Sequence, residues 1–96
     1  MFNGIVSKRS EKIVASAATI VADADTLVIT GSVAIVNITP KVGGIGNQEV
    51  TLIPLAALTC TAAGNIAVAV VFVVNRAQKL QYSDSQNKWY PVIAAV

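Results

Sequence analysis

The chain carries the sequence AGNIAVAVVFVVN at residues 63–75, and this stretch decides the predicted fold. Every side chain from Ile66 to Val74 is apolar, and larger side chains recur at every second position: Ile66, Val68, Val70, Phe72 and Val74. A period of two is typical of a β-strand, because successive side chains point to opposite faces. The intervening residues are apolar as well, so the pattern predicts a strand that is covered on both faces.

The composition indicates that other copies of the chain supply this cover. Of the 96 residues, 54% are hydrophobic and 12% are charged, whereas roughly 25% of a soluble domain is ordinarily charged. No charged residue lies between Glu49 and Arg76. Because small domains leave much of their surface exposed, a long uncharged segment predicts a subunit interface. The alternative is a core strand with uncharged Thr and Asn side chains around it. The predicted interface residues are Ile66, Val68, Val70, Phe72 and Val74.

The remaining apolar segments are short and end at turn-forming residues, which is typical of an all-β chain. Residues 13–22 are predicted to be extended or irregular, and no stretch has a convincing helical pattern. Strands are predicted at 26–30, 32–39, 49–53, 58–61, 79–82 and 88–92. This spacing predicts a β-sandwich or a jelly-roll-like barrel. Residues 13–96 are interpreted as a single β domain, and residues 1–12 as an extended N-terminal arm.

The residues needed for catalysis are missing from the sequence. There is no histidine, which removes the commonest general base, and the single cysteine cannot form an internal disulfide. Cys60 lies among strand-like residues and is interpreted as a buried, unactivated thiol. We therefore expect no enzymatic activity, no catalytic residue and no cofactor.

Two further motifs are weak candidates for ligand binding. Asp23 and Asp25 would point the same way on an extended segment and could hold a calcium ion, but a solvated turn is the favoured interpretation, so no metal site is predicted. The glycine-rich loop at residues 43–46 lacks the lysine and the helix of a phosphate-binding loop and is interpreted as a flexible connection.

Charge and hydropathy give no reason to expect a nucleic acid or a membrane as a partner. The net charge is only +2, and no apolar run reaches the roughly 20 residues of a membrane-spanning helix. The N-terminal region mimics a secretion signal, since Lys8, Arg9 and Lys12 precede an apolar segment. That segment is interrupted by Ser16 and Thr19, so we expect an uncleaved protein that is made in the cytoplasm.

The aromatic residues near the end of the chain have three interpretations. Trp89 and Tyr90, next to Lys88, could form a surface that stacks on sugars or bases. In the favoured interpretation, Trp89 covers the hydrophobic core and Tyr90 directs its hydroxyl outward. The third is a subunit contact, where aromatic residues are enriched.

The order of these motifs resembles that of small virion proteins of tailed bacteriophages. The shared elements are a Gly64-Asn65 turn before an apolar strand, then Leu80-Gln81-Tyr82, a polar turn and Lys88-Trp89-Tyr90-Pro91-Val92, and the likeness covers roughly residues 22–92. The chain departs from the pattern at Ser85-Gln86-Asn87, where an Asp-Gly pair is expected. The family includes capsid decoration (cement) proteins and the β-domains of head fibres and tail fibres.

The resemblance implies a trimeric β module on a virus particle. The expected function is that of a capsid decoration protein, a homotrimer that binds the major capsid protein on the outside of the assembled head, because no fibre shaft is evident. In this interpretation the arm contacts the capsid. The alternative is a head-fibre or tail-fibre tip that binds a host glycan through Trp89 and Tyr90. The expected capsid-contact residues are Phe2, Ile5, Val6, Lys8 and Arg9.

Overall fold

The computed structural model describes residues 10–41 and 48–92, and within these ranges the chain forms strands and no helix. The prediction of an all-β chain is therefore confirmed for this part of the sequence. The sandwich or jelly-roll-like closure and the trimer stay predictions. The nine strands of the described ranges are β1 (Glu11–Ala15), β2 (Thr19–Val21), β3 (Thr26–Thr30), β4 (Asn37–Thr39), β5 (Glu49–Pro54), β6 (Thr59–Cys60), β7 (Val70–Val71), β8 (Gln78–Ser83) and β9 (Lys88–Pro91).

Five strands form one mixed sheet in the order β1-β3-β5-β8-β9. The first three are parallel: Glu11 pairs with Thr26, and Thr26 pairs with Thr51. The last three are antiparallel. Two small sheets complete the described fold, a parallel pair β2-β4 and an antiparallel pair β6-β7.

The parallel pairing follows from the way the chain alternates between sheets. Parallel neighbours need a crossover, which is a helix in most proteins. Here the crossover from β1 to β3 contains β2, and the crossover from β3 to β5 contains β4. The chain therefore forms two sets of parallel strands, which we call the two stacks: β1, β3 and β5 form the first, and β2 and β4 form the second. An isolated parallel bridge from Ile35 to Cys60 extends the second stack. Strands β1 and β2 are the first strands of the two stacks.

Alternating burial along the strands explains how the sequence forms the core. In β3 and β5 every second side chain is buried, as the hydrophobic pattern requires for a sheet with one covered face. The buried residues form one cluster to which all three sheets contribute, including Leu27, Leu52, Ile38 and Cys60. Leu80 and Trp89 extend this cluster across β8 and β9.

Most of the predicted strands are present, with different lengths. The hairpin of β8 and β9 is confirmed, and Asn87 in its turn adopts a positive φ of 56°. The strands predicted at 26–30 and 49–53 are also confirmed, and residues 13–22 are extended for the most part. The strands predicted at 32–39 and 58–61 shorten to β4 and β6, because their backbone bonds are shared among several neighbours.

The predicted boundary between arm and domain at residue 12 needs correction. Strand β1 begins at Glu11, so the last two residues of the predicted arm belong to the five-stranded sheet. Their charges are compatible with a strand because β1 is at the edge of the sheet, where Lys12 remains exposed. The capsid-contact residues predicted for the arm lie outside the described residues, as does the glycine-rich loop.

Candidate functional site

The stretch from Ile66 to Val74 is not one continuous strand, so that prediction is wrong. Only Val70–Val71 form a strand, and Ile66 forms an isolated parallel bridge with Trp89. The physical reason is that the stretch changes its backbone partner twice, which no uniform strand can do. The amide of Ala67 donates to the carbonyl of Trp89 at 3.0 Å, and the amide of Phe72 donates to the carbonyl of Leu58 at 3.1 Å.

The end of the stretch has a third partner. The amide of Asn75 donates to the carbonyl of Pro54 at 2.8 Å, and Asn75 itself has a positive φ of 65°. Asparagine tolerates this left-handed conformation better than most residues do. The stretch is therefore attached to β9 at its start, to the β6 region in the middle and to the end of β5.

Three of the five predicted interface residues are covered by the chain itself. Ile66, Val70 and Phe72 belong to the buried core cluster, so their assignment to a subunit interface is wrong. Val68 and Val74 are exposed, at 52% and 44%. The pattern of large side chains identified strand-like positions but did not show which neighbours would cover them.

Val71, an exposed apolar residue of this region, lines a shallow cleft. The cleft has a volume of about 300 Å³ and is lined by Ser32, Ala57, Leu58, Thr59, Val71 and Phe72. Val71 is 80% exposed, more than any other large hydrophobic residue of the described ranges. Four more exposed apolar residues lie within two positions of this lining in the chain. We call the set of Val33, Leu55, Val71, Val73 and Val74 the Val71 surface.

This surface has the character of a contact site. Exposed apolar residues that occur singly are normal, whereas larger exposed apolar patches usually mark interaction sites. No charged residue lies in the sequence between Glu49 and Arg76, from which four of the five members come. The described lining of the cleft is apolar apart from Ser32 and Thr59, so the surface is suited to binding apolar material.

Trp89 is a core residue and cannot form a surface-binding site. It is 0% exposed, and its indole Nε1 donates to the carbonyl of Ile38 at 2.8 Å. Its ring also packs against Tyr82, with centroids 5.1 Å apart and planes tilted by 56°. The interpretation of Trp89 as a cover of the core is confirmed, and its assignment as a surface-binding residue is wrong. Tyr90, the other predicted residue, is exposed.

The outer edge of β4 is closed by side chains, which sequence reasoning missed. The amide of Ile38 donates to Oδ1 of Asn65 at 2.8 Å, and Nδ2 of Asn65 donates to the carbonyl of Ile38 at 2.6 Å. The amide of Asn65 in turn donates to Oδ1 of Asn37 at 3.1 Å. Gly64 permits this arrangement because its φ is +56°, and a Cβ there would collide with Asn37. The Gly64-Asn65 pair was the available signal, but it was interpreted only as a turn.

The two aspartates of the β2–β3 connection hold the start of β1 in place. Asp23 accepts a hydrogen bond from Nζ of Lys12 at 2.7 Å, and this bond lowers the pKa of the Asp23 carboxyl. Asp25 is joined to Ser10 by two bonds, one in each direction. Among residues 10–41 and 48–92, no three acidic, cysteine or histidine side chains are grouped as a metal site requires.

Cys60 is buried in the core, and burial raises the pKa of its thiol to about 12. The thiol is therefore protonated at neutral pH, which agrees with the interpretation of an unactivated cysteine.

Near the glycine-rich loop, the backbone of Lys41 and the side-chain amide of Gln48 exchange two hydrogen bonds.

Comparisons with family models, with curated proteins and with solved structures found no match. None of the described residues belongs to a helix with the length and hydropathy that crossing a bilayer requires.

Proposed function

We propose that this chain is a capsid decoration protein of a tailed bacteriophage, a structural protein that acts as a homotrimer and carries out no catalysis. The proposal starts from the resemblance to virion proteins. The observation that carries it furthest is the Val71 surface, an apolar area that the chain's own described residues leave exposed.

In the proposed trimer, the Val71 surface of each copy packs against a different surface of the next copy. Threefold symmetry closes such a heterologous contact into a ring, so no copy of the apolar contact surface remains exposed to solvent. Stable interfaces bury about 1,200–2,000 Å² in total, and their centres are apolar and poor in charge. The five-stranded sheet and the two small sheets would be the two layers of a β-sandwich, with β7 carrying Val71 at the end of the second layer.

Attachment to the particle is assigned to the arm, through Phe2, Ile5, Val6, Lys8 and Arg9. A protein that binds the assembled shell and not the free capsid subunit stabilises the shell by mass action. The partners are therefore other copies of the chain and the major capsid protein, and the site of action is the capsid surface. Neither a nucleic acid nor a membrane has a role in this function.

The alternative function, a fibre tip that binds a host glycan, has less support. Sugar recognition of the predicted kind needs exposed aromatic faces, and Trp89 is fully buried. Tyr90 is the only one of the two predicted residues at the surface.

The test uses phage particles assembled with the wild-type chain, with Val71→Asp or with Val68→Asp. Val71→Asp places a charge on the Val71 surface. Val68→Asp is a matched control, because Val68 is an exposed valine of the same stretch outside the cleft lining. Wild type and Val68→Asp should cover the head shell equally in electron micrographs, and Val71→Asp should bind the shell weakly.

Particles that have lost the protein should also release their DNA at a lower temperature than decorated particles. Equal decoration by all three chains would remove the Val71 surface from the proposal. Finding the chain only at a fibre tip, or not in the particle, would overturn the proposed function itself.

A further inference from the structure

The outer edge of β1 has no backbone partner among the described residues. Strand β1 is the end of the five-stranded sheet, and its pairing with β3 uses only one side of the strand. The carbonyl of Ser10 accepts from Thr26, and the amide of Ser16 donates to the carbonyl of Thr30. Because backbone groups alternate in direction along a strand, even-numbered residues face β3. The groups of Glu11, Ile13 and Ala15 therefore face outward.

Strand β2 has the same arrangement at the same end of the fold. The carbonyl of Ala18 and the amide of Ala22 are bonded towards the β4 side, so Thr19 and Val21 direct their backbone groups outward. A groove of about 460 Å³ lies between β1 and β2, lined by parts of both strands and by Asp23. Two open strand edges thus border one groove.

The side chains at this edge do not protect it well. Ile13 is 69% exposed in the middle of β1, and Val21 of β2 is also exposed. Proteins ordinarily guard an open edge with charges, prolines or bulges, because unpaired backbone groups recruit another strand. The charges of β1 are confined to its first two residues, Glu11 and Lys12.

We propose that β1 pairs with β1 of a second copy, as antiparallel strands related by a two-fold axis at Ile13. In this register Ile13 is opposite Ile13 of the partner, and Glu11 is opposite Ala15. All the outward-facing amides and carbonyls then find partners, since odd-numbered residues face odd-numbered residues.

The charge pattern favours this register over those centred on Glu11 or Lys12. Centring the pair on Glu11 or Lys12 would place like charges opposite each other, which is destabilising. Centring it on Ile13 keeps both charges opposite apolar residues, pairs all five residues and places the two exposed Ile13 side chains next to each other. The sequence of β1 is thus complementary to itself in one antiparallel register.

This contact is separate from the proposed trimer. It uses β1, whereas the trimer uses the Val71 surface, so either proposal can fail without the other. On a capsid lattice, a two-fold contact of this kind would join neighbouring trimers.

Backbone amide exchange measured by NMR tests the contact, with Val71→Asp as the background so that trimer formation does not interfere. The protein is compared at concentrations well below and well above the onset of dimerisation. We expect exchange at Ile13 and Ala15 to slow about fivefold once the total concentration exceeds the dissociation constant about tenfold, because about one fifth of the chains are then still monomeric. Val14 serves as the internal control, because its amide faces β3 at every concentration.

The same measurement distinguishes a second copy from the two other possibilities, an edge covered by the chain's own residues and an edge covered by nothing. Slow exchange at Ile13 and Ala15 at all concentrations would mean that the chain's own residues cover the edge. Fast exchange at all concentrations would mean that no second copy binds there. Either result overturns the proposal. If Val71→Asp does not fold, the wild-type chain is measured in the same way.

A pair of substitutions separates the backbone contact from simple apolar contact. Ile13→Pro removes an outward-facing N–H that β3 does not use, so β1 can remain in its sheet. Ile13→Thr removes apolar surface but keeps that N–H. The concentration-dependent slowing at Ala15 should vanish in Ile13→Pro and persist, weakened, in Ile13→Thr. Unchanged slowing in Ile13→Pro would exclude strand pairing.

Discussion

Two sets of side chains in the stretch from Ile66 to Val74 are both apolar but have opposite surroundings. Ile66, Val70 and Phe72 are buried by the chain's own core, whereas Val71 and Val73 are exposed. Hydropathy does not distinguish them. The difference comes from the backbone partners of the stretch, which turn one set of side chains inward and leave the other outside. An apolar segment of a small protein can therefore supply its own core and a contact surface together.

The outer edges of β4 and β1 show a similar contrast, in whether their backbone N–H and C=O groups have hydrogen-bond partners. At the outer side of β4, the polar groups of Ile38 are bonded by the side chains of Asn65 and Trp89. At the outer side of β1, no described side chain takes that role. One edge is completed within the chain, and the other is open as far as residues 10–41 and 48–92 are concerned.

The largest expected effect separates the buried and exposed sets. Phe72→Ala should lower the free energy of unfolding by about 3–5 kcal/mol, because it removes a buried ring and leaves a cavity. Val71→Ala should change it by no more than about 0.5 kcal/mol in the isolated chain. Denaturant unfolding of both variants, followed by Trp89 fluorescence, measures the difference. Equal losses would mean that the two sets do not differ in burial.

The next largest effect concerns the closed edge. Trp89→Phe should cost about 2 kcal/mol, of which about 1 kcal/mol is the lost hydrogen bond to Ile38 and the rest is lost ring volume. Tyr90→Phe is the matched control at an exposed neighbour, and we expect a change within about 0.5 kcal/mol. Circular dichroism can monitor unfolding, since Trp89→Phe removes the fluorophore. A free energy of unfolding that does not change in Trp89→Phe would contradict the role of Trp89 in closing the edge of β4.

A smaller loss is expected at Asn65, the other residue that closes β4. Asn65→Ala should cost about 1 kcal/mol, because Ile38 loses both bonds to the amide side chain while its carbonyl keeps the bond to Trp89. Asn37→Ala removes a single bond to the amide of Asn65 and should cost less. Thermal unfolding of the two variants gives the order of the two stability losses. A larger loss in Asn37→Ala would show that the Asn65 side chain does not replace a neighbouring strand at the outer edge of β4.

The smallest effect on stability is expected at the edge strand β1, where Lys12 donates a hydrogen bond to Asp23. The hydrogen bond from Lys12 places the pKa of Asp23 below its ordinary value of 3.8. A lowered carboxyl pKa contributes stability above the unfolded-state value and loses it as the pH falls through the folded-state value. In Lys12→Met the pKa of Asp23 should rise, measured by NMR titration of the carboxyl carbon. Lys41→Met, which removes the weakest of the attractive charges, should raise it less; a larger rise there would contradict the assigned pairing.

Local patterns were sufficient to predict much of the fold. The alternation in residues 26–30 and 49–53 indicated strands, and the polar turn before Lys88 indicated the hairpin. These features depend on neighbours along the chain, where hydrophobic period and turn chemistry are reliable. The parallel order of β1, β3 and β5 was not predicted, because it depends on which distant segments pair.

The candidate site was harder to predict for the same reason. The sequence correctly placed Trp89 in the core and correctly marked residues 50–75 as uncharged, but it assigned Ile66, Val70 and Phe72 to the wrong side. Period alone cannot tell which face of an entirely apolar segment the chain covers. Of the exposed members, Val71 and Val73 were intervening positions of the pattern, whereas Val68 and Val74 were among its larger positions.

The molecular mass in dilute solution, measured by sedimentation equilibrium, tests the central claim that copies of the chain cover the Val71 surface. The wild-type chain and Val68→Asp should have the mass of three copies or of a multiple of three, and Val71→Asp should lose the threefold association and remain folded. A folded, monomeric wild-type chain would contradict the account, as would a Val71→Asp chain that retains the wild-type mass.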